Sequence, residues 1–386
     1  MHRGKFRYVT KDTCLSVNPN LYHLPPLSSF NDVLILPVKD IRPSLSLGDT
    51  SPYILPYHGF TARLHPSRLH SPPYDRSSWR KQELIKTVYM PEVEELVKKL
   101  TGCKSTLVES AVLRTNVHSE VDSLSKEDPG ADLSDEDAGP CPRMIGFSSA
   151  GGASPAPKVH LDFSPLGART HIRKYHRNLA IAAESVIQAE NKLLKSDVNW
   201  NELKDHYRGT GEGDDGVPRF ALFSVWRPLK TVHRDPLGLS TCASFPTSDY
   251  VPVDIVEPTG RNIPPHLSHI YALHQDSIEG HQQTTVNEKA ATHLSNSYVA
   301  CAPSDRDGTG HGWHFISKQE PTEVLIIQLF DNEMEATMAS RRGNEDGAVS
   351  SDISVSGVMH SAFELEGQDE AGAARESLEV RIVAFW

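Results

Sequence analysis

The chain's clearest pattern is an alternation near its C-terminal end. Leu378, Val380, Ile382, Ala384 and Trp386 are apolar, whereas Arg375, Ser377, Glu379 and Arg381 occupy the other parity. A period of two places these sets on opposite faces of a strand, one suited to a core and the other to a polar lumen. Further strands are predicted over 155–163, 220–226, 297–300, 314–317 and 324–329. Helical spacing is rarer and comes early. Val93, Leu96, Val97 and Leu100 form an i, i+3, i+4, i+7 stripe, with Pro91 suited to a first turn and Gly102 to a C-cap. A single long helix is predicted over 168–195, with Ile172, Leu179, Ala183, Val186 and Leu193 among its apolar positions.

Between these elements the pattern fades. Residues 1–78 are rich in proline, serine and histidine, and read as an irregular arm wrapped on a domain spanning 79–386. The stretch 120–142 is acidic and offers almost nothing to bury, so a disordered insertion is expected there, and a mobile loop over 341–356. Many strands with few helices define an α+β protein built on a β-sandwich or barrel.

Composition narrows the partners. The 39 basic and 50 acidic residues give a formal charge of -11, which argues against a nucleic-acid surface. The five cysteines are odd in number and never paired as C-x-x-C, so a reducing, cytoplasmic setting is expected. No apolar run is long enough to cross a bilayer, and a secretory signal after Met1 is not expected.

Candidate chemistry lies in two distant segments. In an extended strand His160 and Asp162 face the same way, while Val159, Leu161 and Phe163 point into the opposite apolar layer. With His360 they form two imidazoles and one carboxylate, the set that holds iron(II) on one face and leaves the opposite positions open. H-x-[DE] occurs four times in this histidine-rich chain, also at His118-Ser119-Glu120, His233-Arg234-Asp235 and His274-Gln275-Asp276. Only the copy at His160 has apolar neighbours at strand spacing. Arg375 and Ser377, at i and i+2 after the last histidine, form a cationic, hydrogen-bonding receptor for a carboxylate, with Arg381 as a competing anchor. Trp226 and Arg227 are expected to pack beneath the pocket, and Trp313 to belong to the core.

These residues carry a resemblance. Val159-His160-Leu161-Asp162, Ser224-Val225-Trp226-Arg227-Pro228-Leu229, Asp235-Pro236-Leu237, Glu320-Pro321-Thr322-Glu323-Val324-Leu325, Phe330-Asp331 and the 374–381 segment around Arg375 resemble the gibberellin desaturase-like oxygenases of fungal secondary metabolism. This family is also described as related to the cephem 7-alpha-methoxylase hydroxylase component. The likeness covers about residues 79–386. It implies a double-stranded β-helix (jelly-roll, cupin-like) core flanked by helices, Fe(II) held by His160, Asp162 and His360, and 2-oxoglutarate held by Arg375 with help from Ser377. It also implies a small-molecule substrate and O2, with hydroxylation or desaturation as the outcome. Two departures bear on substrate orientation: Ser224 stands where the family commonly has an amide, and no acid follows Pro236-Leu237-Gly238. The rival readings are a non-catalytic β-barrel that binds a metabolite or partner, and a cupin-type metal enzyme without 2-oxoglutarate. Arg375 and Ser377 discriminate against the second, which needs no dicarboxylate receptor.

Overall fold

The computed structural model describes residues 2–11, 15–17, 24–117, 141–147, 152–196, 198–207, 216–241, 245–255, 297–306, 310–342 and 355–386. Sixteen strands occur among these residues. The first eight are β1 (His2–Tyr8), β2 (Leu15–Val17), β3 (Asp32–Asp40), β4 (Phe60–Leu64), β5 (Ser105–Arg114), β6 (Arg143–Ile145), β7 (His160–Leu161) and β8 (Phe220–Pro228). The others are β9 (Leu237–Ser240), β10 (Tyr250–Ile255), β11 (Ser297–Ala300), β12 (Trp313–Phe315), β13 (Glu323–Asp331), β14 (Met359–Ala362), β15 (Glu364–Leu365) and β16 (Ser377–Phe385).

They form two sheets. The larger runs β15-β1-β3-β12-β9-β14-β7-β11-β10-β2 and the smaller β4-β13-β8-β16-β5-β6. Three apolar layers follow from the alternation of side chains. Phe220, Leu222, Leu325, Ile327 and Val383 fill the space between the sheets, joined by Phe163, Ile172 and Leu237. Ala221, Phe223, Val225, Leu378, Val380 and Ile382 point the other way, under the helical segment that includes Trp79, Val93 and Val97. Phe6, Tyr8, Val159, Leu161, Trp313 and Met359 cover the outer face of the larger sheet.

Several sequence expectations are met closely. The strand at Ser297–Ala300 has the expected bounds, and the helix Met90–Thr101 ends on Gly102 at φ 71°. That left-handed conformation favours glycine, which carries no Cβ. Others need correction. The segment read as an irregular arm contributes β1, β2, β3 and β4 to the two sheets. Gly4 hid β1 and Pro37 hid β3. Gly4 is a buried core-facing position where a Cβ would run into the Phe363 ring, and Pro37 interrupts the β signature of β3. The strand expected over 155–163 is ordered as β-structure only at His160–Leu161, and six strands precede it. Phe163 accordingly leaves the outer layer of Val159 and Leu161 and packs between the sheets. Most of the acidic insertion, 118–140, and the loop residues 343–354 lie outside the described residues.

The long helix is three helices, Pro165–Lys174, Arg177–Ala182 and Glu184–Leu194. His176 is extended at φ -159°, ψ 143° and its ring accepts from the Asn178 amide, starting a new helix. The break has an electrostatic result. Glu190, fully buried, meets Arg169 at 3.0 Å and Arg173 at 2.7 Å, and Arg169 also meets Glu335 at 2.7 Å. A straight helix would hold residues 169 and 190 about 30 Å apart. Periodicity alone does not report such folding back, because each short helix keeps the same phase.

His314, on β12, lies among Tyr53 and Phe60 with ring centroids 5.4 and 5.5 Å away. Burial, with the charges of Lys39 and His58, pushes its pKa from 6.5 down to about 4. The folded state therefore refuses a proton that the unfolded chain accepts. Stability is retained above about pH 6.5 and lost as pH falls toward 4. Chemical denaturation at pH 7 and pH 5 is expected to show wild type losing roughly 1–2 kcal/mol more than His314→Phe, which keeps the ring contacts without the titration.

Candidate metal and co-substrate centre

The pocket that matters opens between the two sheets. His160, Leu237, His360 and Ala362 line it from the larger sheet, and Arg114, Ser224, Trp226, Ile327, Glu379 and Arg381 from the smaller, with Arg375 just before β16. The strand pairing does much of the positioning. β7 and β14 are antiparallel neighbours with His160 directly opposite His360, and their rings lie 4.2 Å apart. Asp162 follows two residues after His160, beyond the end of the strand but on its side, and Nε2 of His160 stands 3.5 Å from Asp162 Oδ1. One potential ligand atom from each of His160, Asp162 and His360 lies within 4.8 Å of the others, and this is the one such group of three among the described residues.

The imidazoles are prepared as ligands. Nδ1 of His160 is 2.6 Å from the Lys158 carbonyl and Nδ1 of His360 is 3.0 Å from that of Val358. An Nδ1–H that donates to a carbonyl fixes the tautomer and leaves the Nε2 lone pair for a metal. Burial and the neighbouring His360 push the pKa of His160 down to about 3, so its ring is neutral at ordinary pH. Asp162 behaves in the opposite sense. Burial opposes its ionisation, but Arg381 and the two histidines outweigh burial and hold its carboxyl below the usual range. Two imidazoles and one carboxylate are the donor set that suits iron(II).

Beside the triad sits a receptor with unmet hydrogen-bonding capacity. Arg375 is 3% exposed and Ser377 1%. One Arg375 amino group donates to the Asp235 carbonyl at 2.5 Å, and its guanidinium lies 5.1 Å from the centre of the Trp226 ring. Among the described residues the Arg375 Nε and the Ser377 hydroxyl have no hydrogen-bond partner. Burial and the nearby Arg114 charge push the Arg375 pKa down to about 9. A buried cation in that condition is stabilised by an incoming anion, and its planar fork suits a carboxylate. The residues present thus fit both an iron ion and 2-oxoglutarate.

Arg381, the competing anchor, is already committed. It contacts Asp162 Oδ2 at 3.0 Å and Glu379 Oε1 at 2.8 Å. The other H-x-[DE] copies fare differently. His233 is exposed, and the Asp235 carboxylate is turned to Arg234 and Gln368. The copies at 118–120 and 274–276 lie outside the described residues. The expectation for Trp226-Arg227 divides. Trp226 lines the pocket, whereas Arg227, on the opposite face of β8, is buried against Tyr89, His65 and the Pro321 carbonyl. Trp313 belongs to the core as expected, donating to Tyr8 at 3.0 Å.

Sequence reasoning missed Arg114 and gave Glu379 no role beyond its face of the strand. β5 and β16 pair with a register shift, Ser110 opposite Arg381 but Val108 opposite Ile382, so Glu109 is an extra, bulged residue. A bulge reverses the parity of everything after it, and the alternation of β5 therefore did not announce Arg114 as lumen-facing.

Two curled sheets enclosing a His-Asp-His triad and a buried arginine define a double-stranded β-helix oxygenase. Comparisons with known proteins agree. Residues 34–195 match a family profile described as Oxidoreductase/YMDC permease-like domain. Oxidoreductase chry3 of Gibberella zeae is 51% identical over 389 residues, covering 100% of this chain and 98% of that protein. The gibberellin cluster GA4 desaturase of Gibberella fujikuroi is 30% identical over 359 residues, covering 90% and 86%. Among solved structures, the iron and alpha-ketoglutarate-dependent endoperoxidase NvfI shares the fold at a TM-score of 0.52 and 16% identity, over 99% of this chain and 97% of that one. The chain belongs to the gibberellin desaturase-like family of iron(II)/2-oxoglutarate-dependent oxygenases, whose cofactors are Fe(II) and 2-oxoglutarate.

Gly357 controls how β14 approaches the site. A Cβ there would collide with the Leu329 carbonyl and the Leu161 side chain. Gly357→Ala is expected to destabilise the protein by roughly 1–3 kcal/mol and to displace His360. Thermal melts with and without added iron(II) check this, the variant showing the smaller iron-induced rise.

Proposed function

We propose that this chain is an iron(II)/2-oxoglutarate-dependent oxygenase that hydroxylates or desaturates a small organic metabolite, with His160, Asp162 and His360 holding the metal and Arg375 with Ser377 anchoring the co-substrate. The observation that carries the reading is the unsatisfied donor Arg375 Nε, in the pocket that His160 and His360 line, with the unsatisfied Ser377 Oγ two residues further along the same strand segment. Buried polar groups ordinarily have partners, so their absence points to a ligand that supplies them. A metal enzyme without a dicarboxylate co-substrate gives these groups nothing to do.

The chain's own contribution is placement. Trp226 supports the guanidinium plane, and the Asp235 carbonyl fixes its remaining edge. Leu237, Ile327 and Ala362 supply apolar walls that exclude water from the reacting centre. Iron, 2-oxoglutarate and O2 bound together supply the oxidising power, with succinate and carbon dioxide as co-products. A cleft of about 380 Å3, lined by charged residues such as Arg7 and Glu364 and by apolar ones such as Leu27 and Phe363, shares Ala362 with the metal pocket and suits a small-molecule substrate. Free thiols at Cys103, Cys141 and Cys301 support a reducing, cytoplasmic setting. Among the described residues no helix is long and apolar enough to cross a membrane.

Anaerobic addition of iron(II) and 2-oxoglutarate to the purified protein is expected to produce the visible metal-to-ligand charge-transfer band of a chelated 2-oxo acid. A flat spectrum from iron-saturated wild type would falsify the co-substrate assignment. His160→Ala is expected to abolish iron binding in a metal titration. Arg375→Ala should keep the iron and raise the dissociation constant for 2-oxoglutarate by about tenfold or more, as removal of a charged hydrogen-bonding partner implies.

A further inference from the structure

We propose that Arg381 is a positioning residue for the metal-binding carboxylate, holding Asp162 so that it offers one oxygen to the ion. This rests on the reading of His160, Asp162 and His360 as the iron ligands.

Four buried charges stand in a row across the pocket wall. Arg381 contacts Asp162 Oδ2 at 3.0 Å through a terminal amino group, and its Nε donates to Glu379 Oε1 at 2.8 Å. The other oxygen of Glu379 accepts from Arg114 at 3.2 Å. Their order, Asp162, Arg381, Glu379, Arg114, alternates in sign. The side chains are between 6% and 11% exposed, and charges so buried need paired, well-directed partners. The hydrogen bond from Nε to Glu379 on the same strand face fixes the guanidinium plane, and a terminal amino group faces Asp162 across the pocket as an ion pair. Lysine offers no such fork.

The consequence falls on Asp162. With Oδ2 drawn to the Arg381 charge, Oδ1 is the oxygen beside the histidines, 3.5 Å from Nε2 of His160. A carboxylate free to turn presents both oxygens to a metal and takes an additional coordination position. Held as it is, Asp162 would offer a bound ion one oxygen rather than two. Glu379 has a second duty in this arrangement. A lone carboxylate in the co-substrate pocket would repel 2-oxoglutarate, and its pairing with two arginines removes that repulsion. The two arginines of the strand therefore divide the work, Arg375 toward the co-substrate and Arg381 toward the metal ligand.

The experiment compares iron(II) affinity, 2-oxoglutarate affinity at saturating iron, and the maximum of the charge-transfer band in wild type, Arg381→Gln, Arg381→Lys, Glu379→Gln and Arg375→Gln. Arg381→Gln is expected to weaken iron binding by about 10- to 100-fold, the usual effect of removing an outer partner of a ligand. Its 2-oxoglutarate affinity should stay within about threefold of wild type and its band maximum should shift, whereas Arg375→Gln does the reverse. Arg381→Lys should recover part of the iron affinity, and Glu379→Gln should show a smaller loss than Arg381→Gln. Unchanged iron affinity in Arg381→Gln, or a loss of 2-oxoglutarate affinity equal to that of Arg375→Gln, overturns the proposal. If Arg381→Gln does not fold, Arg381→Lys decides: weakened iron with intact 2-oxoglutarate binding supports the assignment, and the opposite sinks it. No band in wild type would instead overturn the underlying site reading.

Discussion

Charge inside a space that excludes water is the constraint around which this molecule is organised. β16 sends Ser377, Glu379 and Arg381 into the gap between the sheets, and Arg375 precedes them on the same parity. An isolated ion there would be prohibitively unstable, so each must be met by a group from another strand. Arg114 on β5, Asp162 after β7 and the Asp235 carbonyl before β9 supply those partners. The two sheets are therefore matched by charge as well as by apolar packing. Val383 and Phe385 on the same face of β16 belong to the inter-sheet apolar cluster, so the strand passes from an ionic end to an oily end within nine residues.

The electrostatics also separate two kinds of cation. Arg381 and Arg114 are neutralised by carboxylates, and Arg169 and Arg173 likewise by Glu190 and Glu335 in the helical layer. Among the described residues Arg375 has a carbonyl and an aromatic face but no carboxylate in direct contact. Its depressed pKa expresses that deficit as a preference for a bound anion. The same logic run in reverse describes the metal triad, where His160 is kept neutral and Asp162 ionised by their surroundings. The protein thus carries an excess of positive potential at one end of the pocket and available lone pairs at the other.

Much of this was legible in the chain, and the failures have physical causes. The alternation of 375–386 foretold a strand with a charged lumen face because both of its faces are committed, one to helices and one to ligands. His160-Leu161-Asp162 stood out from three other copies because its neighbours Val159 and Leu161 had to enter an apolar layer. β1 and β3 escaped notice because the core face of β1 uses a glycine under Phe363 and β3 carries a proline on its other, half-buried face, residues that composition reads as loop. The three-helix bend escaped because helical phase survives a break. Arg114 escaped because Glu109 bulges out of β5 and inverts the parity that a linear reading assumes. In each case a local irregularity, invisible to periodicity, places a residue where the tertiary structure needs it.

The pairing of β14 with β7 and of β16 with β5 and β8 has a consequence for the order of events during synthesis. Both late strands pair with strands encoded far upstream, so the first histidine and aspartate emerge from the ribosome roughly 200 residues before their partner, about ten seconds or more at ordinary translation speeds. Through that interval a half-built site holds two ligands, His160 and Asp162, the second without its balancing arginine. Ion capture and closure of the two sheets are thus a single late step, and a nascent chain that stalls before β14 emerges as a metal-free, open-edged β-protein exposed to misassembly.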